Sequence, residues 1–77
     1  MVSKKVMNEK TRAFLGRRVR ALRVERGLSQ STLAAQIGTP QPKLSRIELG
    51  KTDVQLSTIK KLADALGVPL KDLLPDC

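Results

Sequence analysis

Residues 30–47 read QSTLAAQIGTPQPKLSRI, and this stretch decides the fold. Leu33, Ala34 and Ile37 recur at the spacing of one helical face, and Leu44 and Ile47, three apart, share a face of the next helix. Gly38 stands between the two sets, where the chain must turn sharply and a glycine reaches positive φ without steric penalty. Ala34 is small enough to let two helices approach closely. Two short helices joined by a tight turn form a helix-turn-helix unit, a motif that presents its second helix to the DNA major groove.

The flanking residues extend this reading. Ser29 is a good N-cap for a helix over 30–37, and Leu28 can pack back onto it as a staple. Thr39 is expected to cap the third helix. Pro40 would be its first residue and Pro42 would lie in its first turn, where a missing N–H costs little. Gly50 ends it. Upstream, residues 11–26 read as a helix with an apolar stripe of Leu15, Val19 and Leu22, Phe14 beside the stripe and Arg23 at its edge, stopped by Gly27. Downstream, 51–55 form a linker. Leu56, Ile59, Leu62, Ala63 and Leu66 then define a fourth helix at period 3.6, terminated by Gly67. Leu70, Leu73 and Leu74 mark a fifth helix of one or two turns, closed by Pro75. Residues 1–10 lack periodicity and read as a flexible basic arm, either able to touch DNA or simply a frayed terminus. The domain proper is 11–77, and the class is all-α and compact, with five helices.

Length and composition agree. Seventy-seven residues make one domain, and a chain of this size buries only about 60% of its unfolded surface, so association with a second copy would help. Phe14 is the sole aromatic residue, which requires an aliphatic core and suits a helical bundle better than a sheet. The net charge is +8 and unevenly spread: residues 1–26 carry nine Lys/Arg against two acids, and residues 27–77 six against five. A basic N-terminal third implies a polyanion partner, most often nucleic acid; the bland alternative is a solvated basic face. The lack of stacking aromatics argues against single-stranded nucleic acid, and the helix-turn-helix reading makes double-stranded DNA the expected partner.

Other functions are disfavoured. There is no histidine, no cluster of acids, no Cys/His metal spacing and no phosphate-cradling glycine loop, so neither an enzyme nor a cofactor or metal is expected. No small-molecule pocket is implied. Cys77 is the only cysteine, which precludes an intramolecular disulfide and reads as an incidental terminal thiol. There is no long apolar run or signal-peptide core, and residues 11–26 lack the apolar face of a membrane-surface helix, so a soluble cytoplasmic protein is expected.

Three sets of residues carry the match to a known family: Arg23-x-x-Arg26-Gly27-Leu28-Ser29-Gln30, Leu33-Ala34-x-x-Ile37-Gly38, and Leu44-Ser45-Arg46-Ile47-Glu48-x-Gly50-Lys51. With Leu62-Ala63-Asp64-Ala65-Leu66-Gly67-Val68 and Leu73-Leu74 closing the chain, the sequence resembles the Cro/C1-type, or XRE, repressors over roughly residues 12–75. The resemblance implies a lambda-repressor-like fold with the DNA-reading pair at helices two and three. It also implies an ion pair between Arg23 and Glu48 joining the first helix to the third, and a Gln30 that contacts the DNA backbone and braces the recognition helix. Pro40 and Pro42 depart from the family, the first replacing a capping Ser or Thr and the second a polar residue that could reach DNA.

Gln41, Lys43 and Arg46 are the base-contact candidates. Arg pairs bidentately with guanine, Gln with adenine, and positions 43 and 46 share a helix face. Ser29, Gln30, Lys51 and Thr52 are the phosphate candidates, Gln30 because its backbone N–H lies at the positive end of a helix. Arg12, Arg17, Arg18 and Arg20 are expected to add general field rather than defined contacts. Val68, Leu70, Leu73 and Leu74 are more apolar than so small a domain needs, and mark either a homodimer interface or only the closure of the monomer core. A two-fold dimer would read an inverted repeat with half-sites about 10 bp apart. Blocking RNA polymerase and activating by touching it both suit the fold. An antitoxin that also binds a protein toxin, a restriction–modification controller and a phage repressor are the alternative contexts.

Overall fold

A computed structural model describes residues 8–75 of the chain. The proposed arm therefore lies outside the described residues over 1–7, as does Cys77. The elements are α1 (Glu9–Glu25), α2 (Gln30–Ile37), α3 (Gln41–Glu48), α4 (Leu56–Leu66) and a single 3-10 turn (Leu70–Leu73), with no strand among the described residues. Among the described residues there are thus four α-helices rather than the five expected. The expected fifth helix is pinned between two prolines. Pro69 caps its start, and Leu74, the residue before Pro75, is driven to an extended φ of −122° and ψ of 144°, leaving room for one tight turn only.

Local chemistry sets most helix ends. α1 starts earlier than position 11 because the Asn8 side chain accepts a hydrogen bond from the Thr11 N–H at 2.8 Å, and Glu9 complements the positive helix end. Ser29 caps α2 in the same way, accepting from the Thr32 N–H at 3.0 Å. α2 then ends on Gly38 at φ 70°, with the Thr39 N–H reaching back to the Ala34 carbonyl at 2.9 Å. This left-handed residue reverses the chain between α2 and α3, and a β-carbon there would be strained. Thr39 does not cap α3. Pro40 is the capping residue, extended at φ −63° and ψ 143°, with no side-chain hydrogen bond, and Pro42 occupies the first turn.

The core is wholly aliphatic: Leu15, Val19 and Leu22 of α1, Leu33, Ala34 and Ile37 of α2, Leu44 and Ile47 of α3, Ile59, Leu62, Ala63 and Leu66 of α4, and Leu73 of the 3-10 turn. Phe14 is only half-buried, at the edge. Leu56 was expected on the buried stripe of α4 but is 57% exposed, because it opens the helix beyond the rim of the core. Val54, in the preceding loop, is buried in the core. Two arginines expected to supply only field make defined contacts. Arg12 pairs with Asp53 at 2.8 Å, and the Nε of Arg18 donates to the Asp72 carbonyl at 3.1 Å, fastening the 3-10 turn to α1.

Candidate nucleic-acid interface

α3 lies across α1 and α2 and is held by two devices. The first is steric. Gly16, buried in the middle of α1, faces the end of α3 so closely that a β-carbon there would sit 2.5 Å from the carbonyl oxygens of both Ile47 and Glu48. One turn along, Gly50 at φ 72° brings its own backbone against Ala13, where a β-carbon would lie 3.1 Å from the Ala13 Cα. Backbone therefore meets backbone between α1 and the C-terminal end of α3. The sequence reading overlooked Gly16. The signal was present as a glycine inside a helical pattern, which costs about 1 kcal/mol relative to alanine and so points to a close approach that only glycine admits.

The second device is polar. Glu48 is the buried charged residue, its side chain only 3% exposed, and the Arg23 side chain is 12% exposed. Arg23 grips the carboxylate as a fork, with Nε donating to Oε2 at 2.6 Å and Nη2 to Oε1 at 3.0 Å, while its Nη1 donates to the Leu28 carbonyl at 2.9 Å. α1, α3 and the loop leading to α2 are thereby joined through one guanidinium. The hydrogen bond to Glu48 is the main cause holding the Arg23 pKa above its ordinary value; desolvation opposes it, and the attraction of the Glu48 charge adds to it. A cation whose folded pKa is raised contributes its full stability at every pH below its unfolded value, so this end of the pair does not titrate near neutrality.

The network continues toward the surface. Gln30, half-buried at the start of α2, donates from Nε2 to Glu48 Oε1 at 2.9 Å, and its Oε1 accepts from Nε2 of Gln41 at 2.7 Å. The orientation of both amides follows from the carboxylate. Glu48 can only accept, so Gln30 must turn its NH₂ inward and its oxygen outward, and Gln41 must then donate. Gln41 is left with its oxygen and one N–H free at the exposed N-terminus of α3. No buried side-chain polar atom among the described residues lacks a partner.

The remaining candidates are distributed as follows. Lys43 and Arg46 are exposed on α3. Ser29 accepts at its Oγ as the cap of α2 and donates its hydroxyl to Thr32 Oγ1 at 2.9 Å. Lys51 is exposed just beyond α3, with its N–H bound to the Arg46 carbonyl at 3.0 Å, and half-buried Thr52 makes a long 3.4 Å contact to the Asp53 carbonyl. Of the four apolar residues considered for a dimer interface, Leu73 is 0% exposed. It is used entirely by the core of one chain, since the 3-10 turn points it between α1 and α4, and it is withdrawn from the interface. Val68, Leu70 and Leu74 are half-buried against that core.

A helix-turn-helix family model, HTH_3, matches residues 19–73. The chain belongs to this HTH_3 family. The HTH-type transcriptional repressor RghR of Bacillus subtilis is 47% identical over 60 residues, which make up 77% of this chain and 44% of RghR. The control protein C.BamHI of Bacillus amyloliquefaciens is 38% identical over 69 residues, or 88% of this chain and 85% of that protein. Among solved structures, the restriction-modification controller protein C.AhdI from Aeromonas hydrophila superposes with a TM-score of 0.78 at 38% identity, covering 82% of this chain and 96% of C.AhdI. The HTH_3 domain thus spans less than half of RghR and most of each controller. The matched residues include all of α2 and α3, the pair joined by the Gln30–Gln41 bond.

Proposed function

We propose that this HTH_3 chain is a sequence-specific regulator of transcription that binds double-stranded DNA, with α3 in the major groove and two copies on an inverted-repeat operator. One observation carries the reading: the exposed N-terminal turn of α3 offers a Gln41 whose donor and acceptor are already oriented by the Glu48–Gln30 chain, on the same short helix as exposed Arg46. The free oxygen and N–H of Gln41 match the N6 donor and N7 acceptor of adenine, and the fork of Arg46 matches O6 and N7 of guanine. Lys43 sits on the opposite flank of α3 from Gln41, within reach of a base or a phosphate. Ser29, the Gln30 N–H, Lys51 and Thr52 take the phosphate contacts that set register. Val68, Leu70 and Leu74 supply the apolar part of the surface between the two copies. The similarity to RghR, named as a repressor, supports repression as the sign of regulation, and occlusion of polymerase is the simplest route to it.

Selection from a random double-stranded pool at about 150 mM salt, where nonspecific phosphate binding is weakened, tests this directly. An enriched inverted repeat is expected, and Arg46→Ala should relax one guanine position in each half-site, a loss of roughly tenfold or more in discrimination. Salt-sensitive binding without enrichment would overturn the reading. A second reading, control of a restriction–modification operon, has the high mutual coverage with C.BamHI and C.AhdI in its favour. It requires the selected operator to lie upstream of endonuclease or methyltransferase genes.

A further inference from the structure

The exposed ridge of α3 is not made of the polar residues alone. Successive residues of a helix turn by about 100°, so Pro42, Arg46 and Leu49, at i, i+4 and i+7, share one face. That face lies opposite buried Leu44, Ile47 and Glu48. Pro42 and Arg46 are exposed, and Leu49 is 64% exposed. Gln41 lies to one side, tied toward α2 through Gln30, and Lys43 to the other. The residue at the centre of the groove-facing surface in the first turn of α3 is therefore an apolar ring with neither a side-chain donor nor a backbone N–H. First-turn residues of a recognition helix are the ones that meet base edges, whereas Leu49 caps the far end.

Resting on the DNA-binding reading above, we infer that Pro42 is a specificity-determining residue that reads the C5 methyl group of a pyrimidine. The major-groove edges of the four base pairs present hydrogen-bonding groups and one apolar group, the thymine methyl. A proline ring pressed on a guanine or cytosine edge leaves a desolvated polar group without a partner, which is disfavoured. Pressed on a methyl, it buries apolar surface on both sides. Pro42 and Arg46 are four residues apart, about 6 Å along the helix axis, so the methyl lies within about two base-pair steps of the guanine read by Arg46. Thymine is the source in unmodified DNA, and 5-methylcytosine carries the same group.

The test uses the full chain, the operator that it selects, and duplexes in which each thymine is replaced singly by uracil, a change that removes only the methyl. One thymine per half-site, close to the Arg46 guanine, should bind roughly fourfold more weakly as uracil, the factor expected for one methyl-sized group. Pro42→Ala, which keeps a good helix former in the first turn but leaves a single methyl in place of the ring, should show a clearly smaller thymine-over-uracil preference than the wild type, with its helical circular dichroism intact. At the same position, 5-methylcytosine should exceed cytosine by the same factor for the wild type. Indifference of the wild type to every uracil substitution would overturn the inference, as would a full thymine preference retained by Pro42→Ala. A gain for thymine over uracil without a gain for methylated over plain cytosine would overturn the methyl as the group read. Failure to select any operator would sink the DNA-binding reading as well, so the two failures are distinguishable.

Discussion

On its α1 side, α3 meets a glycine backbone and a forked ion pair; between α1 and α4, the 3-10 turn closes the core with Leu73 against leucine, isoleucine and valine. The two contacts differ in what they demand. Aliphatic burial is non-directional and tolerates small rearrangements if volume is kept. The contact of α3 with α1 is directional: Arg23 reaches two oxygens and a carbonyl at once, and Gly16 admits only one depth of approach. A helix that must present side chains to base edges gains from the second kind of contact, because a shift of about 1 Å would misplace every reading group.

Four measurements break or sharpen this contrast. The largest effect is expected from Glu48→Leu alone, which strands a largely buried guanidinium and should cost about 3–5 kcal/mol in urea unfolding. Adding Arg23→Met should restore most of that loss. If the double variant is as unstable as the single one, the pair is not the directional clamp described. Leu73→Ala comes next, at about 3 kcal/mol from lost burial and a residual cavity, and no second substitution should rescue it. A loss no greater than that of exposed Leu56→Ala would remove the 3-10 turn from the core.

Gly16→Ala sets two effects against each other. Helix propensity favours alanine by about 1 kcal/mol, but the new methyl collides with the fixed carbonyls of Ile47 and Glu48. The collision should prevail, with a net cost of about 2 kcal/mol and a weakened operator affinity as α3 is pushed outward. A raised melting temperature for this variant would show that α3 has room to move. The smallest change, about 1 kcal/mol, is expected for Ser29→Ala, which deletes one helix cap. Its denaturation midpoint should fall with the slope unchanged, fixing the scale of a purely local term. A loss matching that of Glu48→Leu would mean that Ser29 belongs to the clamp.

Much of the fold was legible in residues 30–47 because each signal there is local. Gly38 ends α2 and Ser29 begins it through bonds spanning a few residues, and the period of Leu33, Ile37, Leu44 and Ile47 needs no knowledge of distant chain. The misreadings have equally definite causes. Thr39 was favoured as a cap on residue type, but Pro40 already has the extended backbone that a cap requires. The fifth helix failed because two prolines bound it, and their combined effect outweighed the leucine spacing. Leu73 has the hydrophobicity of an interface residue and the position of a core residue, and hydrophobicity alone does not separate them.

Taken by itself, the sequence determined that this chain forms short helices with aliphatic faces, where most of them stop, and which side chains carry positive charge, since periodicity, caps and left-handed glycines act over a turn or two. Only the tertiary structure decided that Gly16 must be a glycine, that Arg18 and Arg12 are fasteners, and that Gln30 hands the orientation of a buried carboxylate out to Gln41. Those assignments join residues 11 to 54 positions apart. Through-space distance and the one-way geometry of hydrogen bonds exist only once α1, α2 and α3 have been brought together.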